Sequence, residues 1–152
     1  MVLVTERRPE LWSPVKESIR RAFGCMQTKK SELSLPCGFD TSGFHVEVID
    51  LLSNRVEPEL AFFVACMSAI RKASVTPATL IIGKISIHGN LKGIKSLTEP
   101  LQLGMDNGAR RAMIPVENKR NFLEVSADIV EQVDPVFFGD PKQPAMKALG
   151  LT

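Results

Sequence analysis

At 152 residues with 44% hydrophobic side chains, the chain is long enough for one globular domain with its own core and too short for two comfortable ones. The formal charge of +2 is unevenly placed: residues 1–30 hold seven Lys/Arg against three Glu, a local +4 that leaves −2 for the rest. A phosphate-binding face concentrates more cations than this, so the bias reads as a solvated basic helix, with nucleic acid the weaker alternative. The three cysteines, Cys25, Cys37 and Cys66, contain no Cys-x-x-Cys pair, which points to a reducing compartment and away from a disulfide framework. No apolar run approaches the ~18 residues of a membrane span, and MVLVTERRPE lacks a signal peptide's apolar core; a cytoplasmic protein with no membrane partner is expected. Two histidines and three scattered cysteines show no ligand spacing, so no metal is expected.

In chain order, the first element is a helix from Pro14 to Phe23, capped by Ser13 and stopped by Gly24. Its face Val15, Ile19, Ala22, Phe23 is apolar at helical spacing, with Lys16, Arg20 and Arg21 pointing away. A short strand follows at Glu32 to Leu35, then a turn. The alternation from Phe44 to Ile49 predicts a half-covered strand, with His45 and Glu47 on its solvent side. Asn54 to Glu57 is a turn, and Pro58 opens a helix to Lys72 whose Leu60, Phe63, Val64, Met67 and Ile70 repeat at helical spacing and require burial.

The stretch Gly83 to Asn118, GKISIHGNLKGIKSLTEPLQLGMDNGARRAMIPVEN, is the most tightly organised. A strand Thr79 to Ile82, with both faces covered, leads into alternation that sends Ile85 and Ile87 inward. Gly89-Asn90 turns the chain back as a hairpin, leaving His88 as a surface residue. Ser96-Leu97-Thr98-Glu99 has capping-box spacing at the start of a helix that runs to Asn107 and ends on a left-handed Gly108. A strand Ala109 to Ile114 closed by Pro115, a helical turn Glu117 to Leu123, a strand Val133 to Phe138 and a terminal helix Pro144 to Leu149 complete a mixed α+β domain. No phosphate-binding loop, dinucleotide fingerprint or nucleophile elbow is present.

Gly83-Lys84-Ile85-Ser86-Ile87, Gly89, Ile94, Leu97, Glu99, Gly108 and Ile114-Pro115-Val116-Glu117-Asn118 resemble the proteolytic domain of the Lon family of ATP-dependent proteases. The family pattern is Gly-Glu-Ile-Thr-Leu-x-Gly-x-Val-x-Pro-Ile-Gly-Gly-Leu-Lys-Glu-Lys, then a helix, a glycine turn, a strand and Ile-Pro-x-Glu-Asn. The likeness covers roughly residues 44–150. It implies a Lon proteolytic-domain fold (ribosomal protein S5 domain 2-like, mixed sheets with packed helices), with 1–43 as a helix and lead-in of the same domain and 44–152 as its core.

The family's reaction uses a serine activated by a lysine amine. On the resemblance, the lysine position is Thr98 and the serine position is Glu57, so no catalytic pair is expected; Ser53 and Lys95 are the nearest substitutes. Leu101-Gln102-Leu103, Asp106-Asn107-Gly108-Ala109, Val136-Phe137-Phe138-Gly139-Asp140-Pro141 and Lys147-Ala148-Leu149-Gly150-Leu151 are similar to the Lon-like family of the BREX phage-defence system. That likeness implies an inactive scaffold domain of a homo-oligomeric ring with an AAA+ module, which would hold any ATP and Mg, and DNA contact through the assembly. No cofactor is expected in these 152 residues themselves. The alternatives are an active peptidase with a displaced Ser53/Lys95 pair, and a stand-alone binding module for protein or nucleic acid.

Overall fold

A computed structural model describes residues 9–37, 39, 44, 58–86 and 88–151, with side chains from Val15 onward. Its elements are α1 (Pro9–Thr28), α2 (Glu59–Arg71), β1 (Thr79–Ile81), β2 (Lys84–Ile85), β3 (Leu91–Lys92), α3 (Thr98–Asp106), β4 (Arg111–Pro115), α4 (Lys119–Leu123), α5 (Ala127–Val130), β5 (Asp134–Phe138) and α6 (Lys142–Ala148). The strand expected from Phe44 to Ile49, the turn Asn54 to Glu57 and the inward placement of Ile87 lie outside the described residues.

α1 is longer than its sequence suggests at both ends. Pro9 takes the first-turn place assigned to Pro14, and the helix continues through Gly24 to Thr28. A glycine in a helix costs about 1 kcal/mol relative to alanine. Here the turn beyond it buries Cys25 and Met26 in the core, which outweighs that cost. A side-chain carbon at Gly24 would meet nothing within 4 Å. Gly24→Ala is therefore expected to raise stability by about 0.5–1 kcal/mol, read as a higher midpoint in thermal or urea unfolding.

The strand expected at Glu32 to Leu35 is a series of turns. Leu33 N–H bonds Lys29 O at 2.9 Å, and Ser34 has φ 49, a left-handed value that interrupts any strand. Leu33 is still buried, reached from a turn instead of a pleat.

β1, β4 and β5 form a parallel sheet in the order β1-β4-β5, and β2 and β3 form a separate antiparallel pair. Successive strand side chains point to opposite faces, and β4 is covered on both. Ala112 and Ile114 join one apolar cluster with Leu97, Leu101, Phe122 and Ile129 of the α3–α5 layer. Met113 joins the other with Met26, Phe63, Met67 and Ala145 of α1, α2 and α6. Among the described residues the parallel sheet is thus a central layer between two helical ones, and with the separate antiparallel pair the domain is α+β, neither sheet being itself mixed.

α2 matches its expectation within a residue at each end: Pro58 precedes it and Lys72, at φ 52, terminates it. The hairpin turns at Gly89 (φ +76), with Ser86 N–H on Asn90 O at 2.8 Å and His88 exposed. α6 begins at Lys142, earlier than Pro144, because a proline is tolerated anywhere in a helix's first turn. The four-residue α5 had no periodic signal to reveal it. Among the described residues, no helix is long and apolar enough to cross a membrane.

Candidate functional site

The segment leading into α3 is held from outside by the Ile-Pro-Val-Glu-Asn stretch. Asn118, 2% exposed, accepts the Ile94 N–H at 2.9 Å and donates to the Ile94 carbonyl at 2.7 Å. Its amide also reaches Asn121 Oδ1 at 3.0 Å. Beside it, Glu117 Oε2 accepts the Gly93 N–H at 2.8 Å while Oε1 pairs with Lys92 Nζ at 3.1 Å. These bonds hold the Glu117 carboxyl below the usual carboxylate range, the Gly93 amide contributing most. A side-chain carbon at Gly93 would stand 2.7 Å from Asn118 Oδ1, so only glycine admits this clasp.

The capping box expected from Ser96 and Glu99 does not form. Leu97 is the N-cap, with no side-chain cap hydrogen bond, and α3 begins at Thr98. Leu97 is drawn fully into the core beside Leu101, which sets the helix start one residue later than the box requires. The far end does follow expectation: Gly108 (φ +86) donates to Met105 O and Ala109 to Gly104 O, both at 2.8 Å, a Schellman closure. Thr98 and Lys95 are exposed, and Thr98 lies with Ser96, Glu99, Gln102, Leu103 and Asp106 along an open groove on the outer side of α3.

The start of α2 approaches β2 directly. Leu60 N–H bonds Gly83 O at 3.3 Å. Gly83 (φ +148) is wedged so that a side-chain carbon would meet Leu91, Pro115 and Leu60 at 3.0–3.2 Å. Next to this junction, Glu59 carries a carboxylate whose side chain is 2% exposed. Its Oε1 pairs with Arg21 Nη1 of α1 at 3.3 Å, and its Oε2 is buried with no hydrogen-bond partner. Arg21 also bonds Glu17 at 3.3 Å and stays exposed, away from the apolar face of α1. The burial of Glu59 was not foreseen; its only sequence signal was an acid in the first turn of a nearly all-apolar helix.

The described residues show little nucleophile chemistry. The hydroxyls of Thr28, Ser68, Thr76 and Thr79 all donate to backbone carbonyls. Burial pushes the thiols of Cys25 and Cys66 up to about 11, so neither is a thiolate at neutral pH, while Cys37 is exposed. Lys84 of β2 was not singled out in the sequence, yet its amine lies below the ordinary lysine value because of burial, with Lys95 and Arg21 adding like-charge repulsion. Among the described residues, no group of three or more His, Cys, Asp or Glu could hold a metal ion.

The profile of the Lon protease (S16) C-terminal proteolytic domain matches residues 9–148. The chain belongs to the Lon proteolytic-domain family. Similar proteins include the Lon-like protease BrxL of Escherichia coli and that of Bacillus cereus. Each is 25% identical over 138 residues, covering 90% of this chain and 20% of the relative. The Lon protease of Methylocella silvestris is 25% identical over 128 residues, covering 82% of this chain and 16% of the relative. This Lon-type domain thus spans a fifth or less of the length of the relatives it matches, as a small part of longer proteins. The clasp of Glu117 and Asn118 holds the approach to α3, whose first residue is Thr98, the residue expected at the lysine position. Glu57, expected at the serine position, and the substitute Ser53 lie outside the described residues.

Proposed function

We propose that this Lon-type domain is proteolytically inactive and serves as an assembly scaffold of a cytoplasmic ATP-driven ring of the AAA+ type, in phage defence of the BREX kind. The observation that carries the reading is Thr98, an exposed hydroxyl on the first residue of α3 where the reaction needs a lysine amine. A threonine hydroxyl does not accept a serine proton near neutral pH, so the general-base step has no agent at that position. Lys95 sits three residues earlier, before the helix, and displacements of about an ångström already cost catalysis heavily. The short span of this domain within its relatives supports a partnership with further modules, where ATP, Mg and DNA contacts would reside.

A second reading, a peptidase with rearranged groups, is favoured by one observation: Lys84 is perturbed in the direction a general base needs. The two separate in an assay of the purified chain on an unfolded protein, run beside Ser53→Ala, Lys95→Ala and Lys84→Arg. The expected result is cleavage no faster than buffer in every sample. Cleavage by the parent chain that any one variant abolishes would replace the scaffold reading with the enzymatic one.

A further inference from the structure

Of the asparagines Asn54, Asn90, Asn107, Asn118 and Asn121, only Asn107 precedes a glycine. Asparagine is chemically labile because the backbone nitrogen of the next residue can attack its side-chain amide carbon. A Cβ on that next residue crowds the attack, and glycine has none. Asn107 and Gly108 are both exposed, so water reaches the pair.

The end of α3 holds the two reacting groups apart. The Asn107 side-chain amide donates to Leu103 O at 2.8 Å, and the Gly108 N–H donates to Met105 O at 2.8 Å. The Ala109 N–H closes the turn on Gly104 O, also at 2.8 Å. Forming a five-membered ring requires the Gly108 nitrogen to lie on the side of the Asn107 Cα–C bond that carries Cβ. At φ −98 and ψ 15 it lies nearly eclipsed with the Asn107 nitrogen instead, turned away from the side chain. The attack therefore requires these bonds to break and ψ to rotate.

We infer that Asn107 is a site of spontaneous deamidation gated by the cap of α3: closed, the cap keeps the amide intact, and each opening exposes it to Gly108. In the open state the Gly108 nitrogen bonds to Asn107 Cγ, and the side-chain nitrogen leaves as ammonia, carrying the proton that Gly108 gives up. Water then opens the cyclic imide at either carbonyl, leaving aspartate or isoaspartate. Either product loses the side-chain bond to Leu103 O and adds a negative charge at the C-terminal, negative end of α3, beside Asp106. Isoaspartate also inserts a methylene into the main chain, which shifts Gly108 and Ala109 out of register with Met105 O and Gly104 O. The modification loosens the end of α3, and the inference does not rest on the scaffold reading.

The test is peptide mapping by mass spectrometry of the full chain held in mildly alkaline buffer, sampled over time. It is run on the folded parent, on the parent in urea, and on Ala109→Pro, which lacks the N–H that closes the turn; circular dichroism checks that this variant is folded. In urea, Asn107 is expected to convert faster than every other asparagine. In the folded parent its conversion is expected to be at least about tenfold slower, because the cap bonds of Asn107, Gly108 and Ala109 are each worth a factor of a few in the opening equilibrium. Folded Ala109→Pro should convert faster than the folded parent. Equal rates at Asn107 in the folded parent and in urea overturn the inference, as does a different asparagine leading in urea. A folded Ala109→Pro chain that converts at the parent's rate overturns it as well. Should that variant unfold, the two rates of the parent decide alone.

Discussion

Asn118→Ala is expected to lower the stability of the domain by about 2–4 kcal/mol, because truncation leaves the part-buried N–H and C=O of Ile94 without their described partner. The asparagine amide is the described partner of both the N–H and the C=O of Ile94, at 2.9 and 2.7 Å. Alanine removes both bonds and the contact to Asn121, and the side chain it replaces is buried. For a domain of this size, about 2–4 °C per kcal/mol makes the loss visible as a drop of roughly 10 °C in the thermal midpoint. Asn118→Asp should fall almost as far, since a carboxylate can accept the Ile94 N–H but meets the Ile94 carbonyl with repulsion. A midpoint unchanged in both variants would show that the clasp does not hold the approach to α3.

The neighbouring Glu117 should behave differently. The Gly93 amide and Lys92 hold its carboxyl below the usual carboxylate range in the folded chain. Its contribution is therefore fully present above that range and is lost as pH falls through the depressed value. The group is nearly half exposed, so screening by water keeps the effect small. Glu117→Gln should flatten a shallow acid limb of the stability profile, and Asn118→Ala should lower the profile at every pH.

Arg21→Met is the second large effect. Glu59 is almost fully buried and has Arg21 as its described partner, with Oε2 already unpaired. Removing the guanidinium leaves a buried charge without compensation, which costs about 3–5 kcal/mol in fully buried pairs. Arg21 itself is 41% exposed, so a loss of about 2–3 kcal/mol is the better expectation. Glu59→Leu should cost far less or be stabilising, since the released Arg21 can turn to water. The double change, Arg21→Met with Glu59→Leu, should return close to the parent. Urea unfolding of the three variants closes the cycle. Equal losses for the two single changes would mean that the pair stabilises by attraction, against the desolvation account.

Much of the core could be read from spacing. The apolar repeat of Leu60, Phe63, Val64 and Met67 located α2, and Gly108 marked the end of α3, because burial and left-handed turns impose local requirements that the residue types advertise. The misreadings have a common origin. Gly24 signals a stop, and Ser96 with Glu99 a cap, by rules worth about a kilocalorie each. In the folded chain, the burial of Cys25 and Met26 carries α1 past the glycine, and the burial of Leu97 moves the start of α3. Each burial is worth more than the local rule it overrides.

The sequence by itself determined the family, through a run of motifs from Gly83 to Asn118, since these depend only on residue identity and order. Tertiary structure alone decided that Glu59 is buried against Arg21 and that Glu117 and Asn118 clasp the approach to α3. Those facts depend on which distant residues share a layer. Asn118 meets Ile94 across 24 positions and Arg21 meets Glu59 across 38, and no local pattern encodes such distances.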